Sequence, residues 1–174
     1  MAENVHYIKS DELYRTTGEL RFALVRQIFV DAFQKSREQR KMMLDPMDIL
    51  SCLIQDPEME KLLKIAGVSR DDIESEIAII EADTPKGLSA LRILNLANAV
   101  EDYRPNKYRS YMLDQSILLG MKLADNEGSF QITCHHLLAG MLLQGLNTAS
   151  AVFRKLGLSE RQLRILARLP MNAN

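Results

Sequence analysis

The second half of this chain repeats the order of apolar and capping residues found in its first half. When the second half is shifted back by 88 positions, Ile132-Thr133 falls on Leu44-Asp45. With a shift of 90 positions, Gly157-Leu158-Ser159 falls on Gly67-Val68-Ser69. Unrelated amphipathic helices would share the apolar spacing but not the residues that start and stop each helix. The sequence therefore predicts two copies of one structural unit.

Apolar residues recur at helical spacing along most of the chain, which predicts an all-α fold. Thr16-Thr17-Gly18-Glu19 has the pattern of a capping box and predicts a helix that runs through Phe33. Asp45-Pro46 and Asp56-Pro57 each combine a capping residue with proline at the first helical position. Gly67 predicts a left-handed stop, after which Ser69 begins a fourth helix. One copy thus contains four helices.

These signals predict a single domain over residues 1–174, built as a pseudo-twofold bundle of two four-helix repeats. Repeat one covers about residues 20–82 and repeat two about residues 110–168. The connecting segment, residues 83–109, is predicted to contain a helix that ends before the turn at Arg104-Pro105-Asn106.

The composition narrows the classes of function. The net charge is -1 and the isoelectric point is about 6.3, so no overall positive field favours nucleic acid. The N-terminus has no apolar leader, and no apolar stretch approaches the roughly 18 residues that a membrane span needs. Cys52 and Cys134 lie far apart in sequence, which is typical of a reducing compartment. We expect a cytoplasmic protein with no membrane or nucleic-acid partner.

The repeated unit resembles the Clp amino-terminal domain, which binds substrates and adaptors at the front of Clp-type AAA+ unfoldases. In repeat two, the resemblance is carried by residues 132–138 (ITCHHLL) and 153–159 (FRKLGLS). In repeat one, it is carried by residues 44–50 (LDPMDIL) and 63–69 (LKIAGVS). It covers about residues 20–168 and implies a fold of two Clp repeats that binds an adaptor, a substrate segment or a Clp-type partner.

Two departures from the family pattern limit what the resemblance implies. The family's Glu-His pair at the helix start is replaced by Met47-Asp48 in repeat one and by His135-His136 in repeat two. Some family members bind phosphoarginine through acidic residues at these helix starts, and that activity is not carried over to this chain. The sequence also contains no G-x-x-x-x-G-K-[ST] loop, so it lacks the ATPase motor. The resemblance therefore implies a free-standing module, or a fragment or paralogue of the front end of an unfoldase.

The cluster Cys134-His135-His136 has two interpretations. As a site, it could hold a metal or provide a catalytic thiol. Adjacent helical residues point about 100° apart, however, so the two imidazoles are not expected to face one ion. The structural interpretation is favoured: His136 tethers the helix start to a neighbouring loop. We predict no metal, no cofactor and no catalytic residue, and hence no enzyme.

The binding candidates are apolar residues and helix starts. Met42 and Met43 precede the capping residue of repeat one, Phe130 occupies the position equivalent to Met42, and thioethers adapt to varied partners. The complete predicted protein-binding set is Met42, Met43, Asp48, Phe130, His135 and His136. The alternative is a structural or regulatory homo-oligomer, such as a homodimer, in which the repeat surface serves self-association.

Overall fold

The fold is all-α, as predicted. The structure is a computed structural model, and it describes residues 19–39, 41, 43–83 and 109–168. Within these ranges, the elements are a 3-10 turn at Ala23–Val25 and eight α-helices. Repeat one contains α1 (Arg26–Glu38), α2 (Pro46–Leu53), α3 (Pro57–Ala66) and α4 (Arg70–Asp83). Repeat two contains α5 (Tyr111–Asn126), α6 (Cys134–Gln144), α7 (Thr148–Lys155) and α8 (Glu160–Leu166).

Local capping chemistry sets most of the helix ends, and the predicted caps at Asp45, Asp56 and Gly67 are present. The predicted capping box at residues 16–19 begins outside the described residues and stays a prediction. Asp45 and Asp56 accept hydrogen bonds from the first-turn N–H groups of α2 and α3, and a proline follows each of them. Gly67 and Gly157 both adopt left-handed backbone, with φ of 67° and 66°. A side chain at such a position would be strained, which is why glycine ends α3 and follows α7 in the two repeats.

The first helix differs from the prediction. The chain is helical through Arg21, turns at Phe22, forms the 3-10 turn, and only then enters α1 at Arg26. The physical reason is a hydrogen bond to the other repeat: the carbonyl of Arg21 accepts the N–H of Ile132 at 2.9 Å. The N–H of Val25 bonds instead to the carbonyl of Phe22, which closes a 3-10 turn.

Equivalent positions of the two repeats are buried in one core. Val25 and Leu113 are both buried, as are Leu44 and Ile132, and these are pairs that the shift of 88 positions predicts. One continuous cluster of buried side chains includes members of both repeats. Burial in a shared core therefore holds the two units together.

Helices α5 and α6 cross at very short distance. A Cβ placed on Gly140 would lie 2.0 Å from the backbone oxygen of Ser116, and one placed on Gly120 would lie 2.6 Å from the backbone oxygen of His136. Neither carbonyl can move without displacing its helix. The crossing therefore requires glycine at both positions.

Two backbone contacts interlock the repeats. The carbonyl of Leu44 in repeat one accepts the N–H of Ser110 at 2.8 Å, and Leu44 pairs with Arg109 in an isolated parallel bridge. The Ile132 to Arg21 bond is the counterpart before α6, and in both bonds an N–H of repeat two donates to a carbonyl of repeat one. Each repeat thus anchors the loop that precedes the second helix of the other.

The predicted connecting helix falls on residues 84–108, outside the described ranges, and stays a prediction. No helix among the described residues is long and apolar enough to cross a membrane.

Candidate protein-binding surfaces at the two helix starts

Two carboxylates, those of Asp45 and Asp48, cap the start of α2. Asp48 accepts the N–H of Asp45 at 2.9 Å, and the Asp45 carboxylate accepts the N–H of Met47 at 2.7 Å. The Asp48 carboxylate is buried and lies 2.6 Å from the ammonium of Lys41, which also reaches Glu81 at 3.0 Å. The two carboxylates accept hydrogen bonds from backbone N–H groups at the helix N-terminus, and Lys41 pairs with the buried negative charge of Asp48.

The pKa values in this cluster reflect competition between burial and pairing. Burial raises the pKa of Asp48, the neighbouring Asp45 adds to the rise, and Lys41 opposes it without cancelling it. For Lys41, burial disfavours the charged ammonium, but Asp48 and Glu81 outweigh it and the pKa is raised. The cation is therefore held in place by two carboxylates.

The start of α6 uses imidazole where α2 uses carboxylate. His136 is equivalent to Asp48, and its Nδ1 accepts the N–H of Thr133 at 3.1 Å. Because that nitrogen accepts, the ring proton of a neutral His136 sits on Nε2, which lies 3.0 Å from the carboxylate of Glu127 and donates to it. The predicted role of His136, tethering the helix start to a neighbouring loop, is confirmed.

The expectation that the two imidazoles diverge is wrong. The rings of His135 and His136 lie 4.0 Å apart, centroid to centroid, and both Nε2 atoms approach the same oxygen of Glu127. His135 also contacts the hydroxyl of Thr133 through Nδ1 at 2.7 Å. Side-chain rotation in the first turn brings the two rings together, although their Cβ atoms point in different directions.

Burial dominates the electrostatics of this cluster. It lowers the pKa of His135, the neighbouring His136 and the cation Arg168 lower it further, and Glu127 opposes the shift. For Glu127, some burial works to raise the pKa, but hydrogen bonds from His136 and His135 outweigh it and the pKa is lowered. The structure therefore favours neutral imidazole at His135 and an ionised carboxylate at Glu127.

Glu127, His135 and His136 are residue types that bind metals, and their ligand atoms lie within 4.8 Å of one another. A metal on Nε2 of His136 would move the ring proton to Nδ1. That proton could donate to the hydroxyl of Thr133 at 2.9 Å, but it would displace the Thr133 N–H from Nδ1. Metal ligation at His136 would therefore break the capping bond to Thr133.

The thiol of Cys134 interacts with Asp56 and not with the imidazoles. Its pKa is raised to about 12 by burial and by the carboxylate of Asp56, the capping residue of α3. A thiol with this pKa is almost wholly protonated at neutral pH and is a poor nucleophile. Cys134 therefore joins the start of α6 to the start of α3 and does not act as an activated thiol.

Exposed apolar side chains surround the start of α2. Tyr111 is 70% exposed and Leu146 is 79% exposed. The Ser110 to Leu44 bond places Tyr111 beside the loop that carries the half-exposed Met43. Gln144 donates to the sulfur of Met112 at 2.9 Å and accepts from the N–H of Leu146, which brings those segments together. We call this set the Tyr111 surface; its members are Met43, Tyr111, Met112 and Leu146.

Thr148 completes the edge of the Tyr111 surface. Its hydroxyl donates to Asp45 at 2.9 Å and accepts the N–H of Met47 at 3.2 Å. The start of α7 is thus fixed to the start of α2, and the surface spans the junction between the repeats. Its backbone is held by hydrogen bonds while its apolar side chains stay in water.

A smaller surface surrounds the start of α6. Phe130 is half exposed, and the Ile132 to Arg21 bond brings its loop beside the exposed Leu20. Leu24, one turn further along the chain, is also exposed. We call this set, Leu20, Leu24 and Phe130, the Phe130 surface.

The predicted site residues fall into three groups. Met43 and Phe130 are exposed and lie one on each surface. Asp48, His135 and His136 are buried beneath the helix starts, so any part that they play in binding would be indirect. Met42 lies outside the described residues. Sequence reasoning missed Tyr111 and Leu146; a leucine between Gly145 and Asn147, two loop-forming residues, was the available signal for the latter.

Solved structures with a similar fold are known. The chain is similar to the amino-terminal domain of Hsp104 from Candida albicans, with 18% identity and a TM-score of 0.65 over 84% of this chain and 87% of that one. It is also similar to a structure described as belonging to a malarial protein secretion system, with 19% identity and a TM-score of 0.61 over 85% of this chain and 93% of that one. No family model and no curated protein matches the sequence.

These similarities define the class of fold. The chain has the fold of a Clp-type amino-terminal domain, and the predicted resemblance is confirmed at that level. Identities below one in five residues carry the fold alone, so function has to be argued from the surfaces.

Proposed function

We propose that this chain is a non-catalytic protein-binding module that recognises an adaptor, a substrate segment or a Clp-type unfoldase through the Tyr111 surface. The observation that carries the proposal is the pair Tyr111 and Leu146, large apolar side chains that are 70% and 79% exposed at the junction of the repeats. Exposed apolar groups held on a rigid backbone are typical of protein interaction sites.

The chemistry around the helix starts supports binding rather than catalysis. Cys134 has a raised pKa and Asp48 is paired with Lys41. His136 is hydrogen-bonded on both ring nitrogens. These groups use their reactive atoms to hold the backbone, which leaves them without a free base or nucleophile at this place. The apolar side chains above them are the groups left to contact a partner.

Binding should be tested by titration with Clp-type unfoldase subunits, their adaptors and a permanently unfolded polypeptide. The variant Tyr111→Ser/Leu146→Ser removes two apolar side chains from the surface and should weaken binding about 30-fold or more, since interface anchors contribute roughly 1 kcal/mol or more each. Ile65→Ser is the matched control, because Ile65 is 69% exposed but lies at the end of α3, outside this surface.

Equal affinities for the wild type and the Tyr111→Ser/Leu146→Ser variant would contradict the proposed surface. Failure of every class of partner to bind would contradict the proposed function. The alternative, self-association through the repeat surface, predicts a mass that rises with concentration in light scattering and falls to the monomer in the same variant. A monomer at all concentrations contradicts that alternative.

A further inference from the structure

Both ring nitrogens of His136 form hydrogen bonds, and the bond at Nδ1 needs a neutral ring. Nδ1 accepts the N–H of Thr133, and Nε2 donates to Glu127. A second proton could bind only at Nδ1, where it could donate to the Thr133 hydroxyl at 2.9 Å but would remove the acceptor of the Thr133 N–H. Protonation of His136 and an intact Thr133 to His136 bond are therefore mutually exclusive.

His135 adds to the same constraint. Its ring is buried, 4.0 Å from that of His136, and shares Thr133 and Glu127 with it. If both rings become charged, two cations lie in contact and a single carboxylate faces them. Glu127 cannot balance both charges, so acid should open the cluster rather than tighten it.

The other charged groups around the cluster come from α3 and α8. Arg168, which follows α8, lowers the pKa of His135. It is itself paired with Glu58, near the start of α3. Asp56, at the start of α3, is engaged with the Cys134 thiol. Since these two acids already have partners, Glu127 is the acid that directly contacts the imidazoles.

We propose that Glu127, His135 and His136 form a pH-sensitive latch, in which protonation of the imidazoles breaks the capping bond to Thr133 and loosens the loop that carries Phe130. Glu127 and Thr133 lie at the two ends of that loop, residues 128–132. Backbone bonds at its ends, such as that from Ile132 to Arg21, would then hold it without the side-chain cluster. An effect of acid on partner binding rests on the proposed function; the opening of the latch does not.

Repeat one provides an internal control for this proposal. The Asp45 N–H is equivalent to the Thr133 N–H but bonds to the carboxylate of Asp48. A carboxyl group keeps an acceptor oxygen even after it takes up a proton, whereas a doubly protonated imidazole has no acceptor. The two amides therefore differ in the group that accepts their hydrogen bond.

The test is amide hydrogen exchange by NMR on the full chain without any partner, from pH 7.5 down to the pH at which the imidazole signals have titrated. After correction for intrinsic exchange, we expect the protection of the Thr133 amide to fall roughly tenfold with the midpoint of the imidazole signals, while the Asp45 amide keeps its protection. Equal behaviour of the two amides, or full protection of Thr133 after the imidazoles have titrated, would overturn the latch.

A substituted chain separates the latch from general acid sensitivity. In the variant His135→Asn/His136→Asn, the carboxamide oxygen introduced at position 136 can take the place of Nδ1 and accept the Thr133 N–H, but neither new side chain takes up a proton. We expect the Thr133 amide of this variant to lose its pH dependence. A loss of protection as large as that of the wild type would contradict the proposal, and circular dichroism at pH 7.5 would show that the variant is folded.

Discussion

The starts of α2 and α6 have the same backbone geometry and opposite chemistry. Asp48 caps its helix as a charged group, and Lys41 and Glu81 surround it. His136 caps the equivalent helix as a neutral ring, with an acid as its partner. The backbone needs only an acceptor at this position, and either a carboxylate or an imidazole nitrogen provides one. The residue at this position decides whether an acceptor remains after protonation, because a carboxyl group keeps one and an imidazolium does not.

The halves also differ where their first two helices cross. In repeat two, Gly120 and Gly140 permit backbone contact between α5 and α6. In repeat one, the equivalent residues are Ala32 and the half-buried Cys52, so α1 and α2 meet through side chains. Substitutions at equivalent positions should therefore have unequal effects.

The largest effect is expected at that crossing. Gly140→Ala would place a Cβ 2.0 Å from a backbone oxygen, so α5 and α6 must separate. We expect a loss of about 3 kcal/mol or more in the free energy of unfolding. Cys52→Ala, the equivalent change in repeat one, should cost about 1 kcal/mol, because it removes one half-buried sulfur. Urea denaturation measures both, and similar losses would remove the distinction between the crossings.

A smaller effect should distinguish the two caps. Asp48→Asn keeps an acceptor for the Asp45 N–H but removes the charge beside Lys41, and we expect a loss of about 1 to 2 kcal/mol in the free energy of unfolding. His136→Asn replaces a neutral cap by a neutral cap and should cost less than about 1 kcal/mol. Adding Lys41→Met to Asp48→Asn should recover part of the loss. If the Lys41→Met and Asp48→Asn effects are simply additive, the ion pair contributes nothing.

The smallest effect is the pH dependence of stability. The pKa of His135 is lowered in the folded state, so below its unfolded value of 6.5 the unfolded chain binds the proton more readily and stability falls. Between pH 7.5 and pH 5.5 the free energy of unfolding should drop by about 1 kcal/mol. The lowered pKa of Glu127 adds a further loss below 4.5. The drop above pH 5.5 should be absent from His135→Asn/His136→Asn, and a drop of equal size there would exclude the imidazoles as its source.

The fold could be predicted because its signals are local. Asp45, Asp56 and Gly67 act within one helical turn, so the residues themselves carry the information about helix ends. The break before α1 could not be predicted in this way, because its cause is a hydrogen bond from Ile132, which lies far away in sequence.

The candidate site was less predictable, because its contacts also join residues that lie apart in sequence. His136 could be identified as a tether from its position after Thr133, but its acceptor Glu127 lies in a loop that looks like any solvent-exposed connection. Tyr111 begins a helix, and nothing in its neighbours distinguishes an exposed first-turn tyrosine from a buried one. Only the fold brings its helix start beside the loop that carries Met43, and the next residue, Met112, into contact with Gln144.

The most direct test of a binding surface at the junction of the repeats is methyl NMR of the methionines during titration with a permanently unfolded polypeptide. Met43 and Met112 lie on the Tyr111 surface, whereas Met59 and Met141 are fully buried in the core. We predict that the methyl signals of Met43 and Met112 shift with a common saturation curve while those of Met59 and Met141 stay in place. Saturable binding that leaves the signals of Met43 and Met112 unchanged would contradict the account.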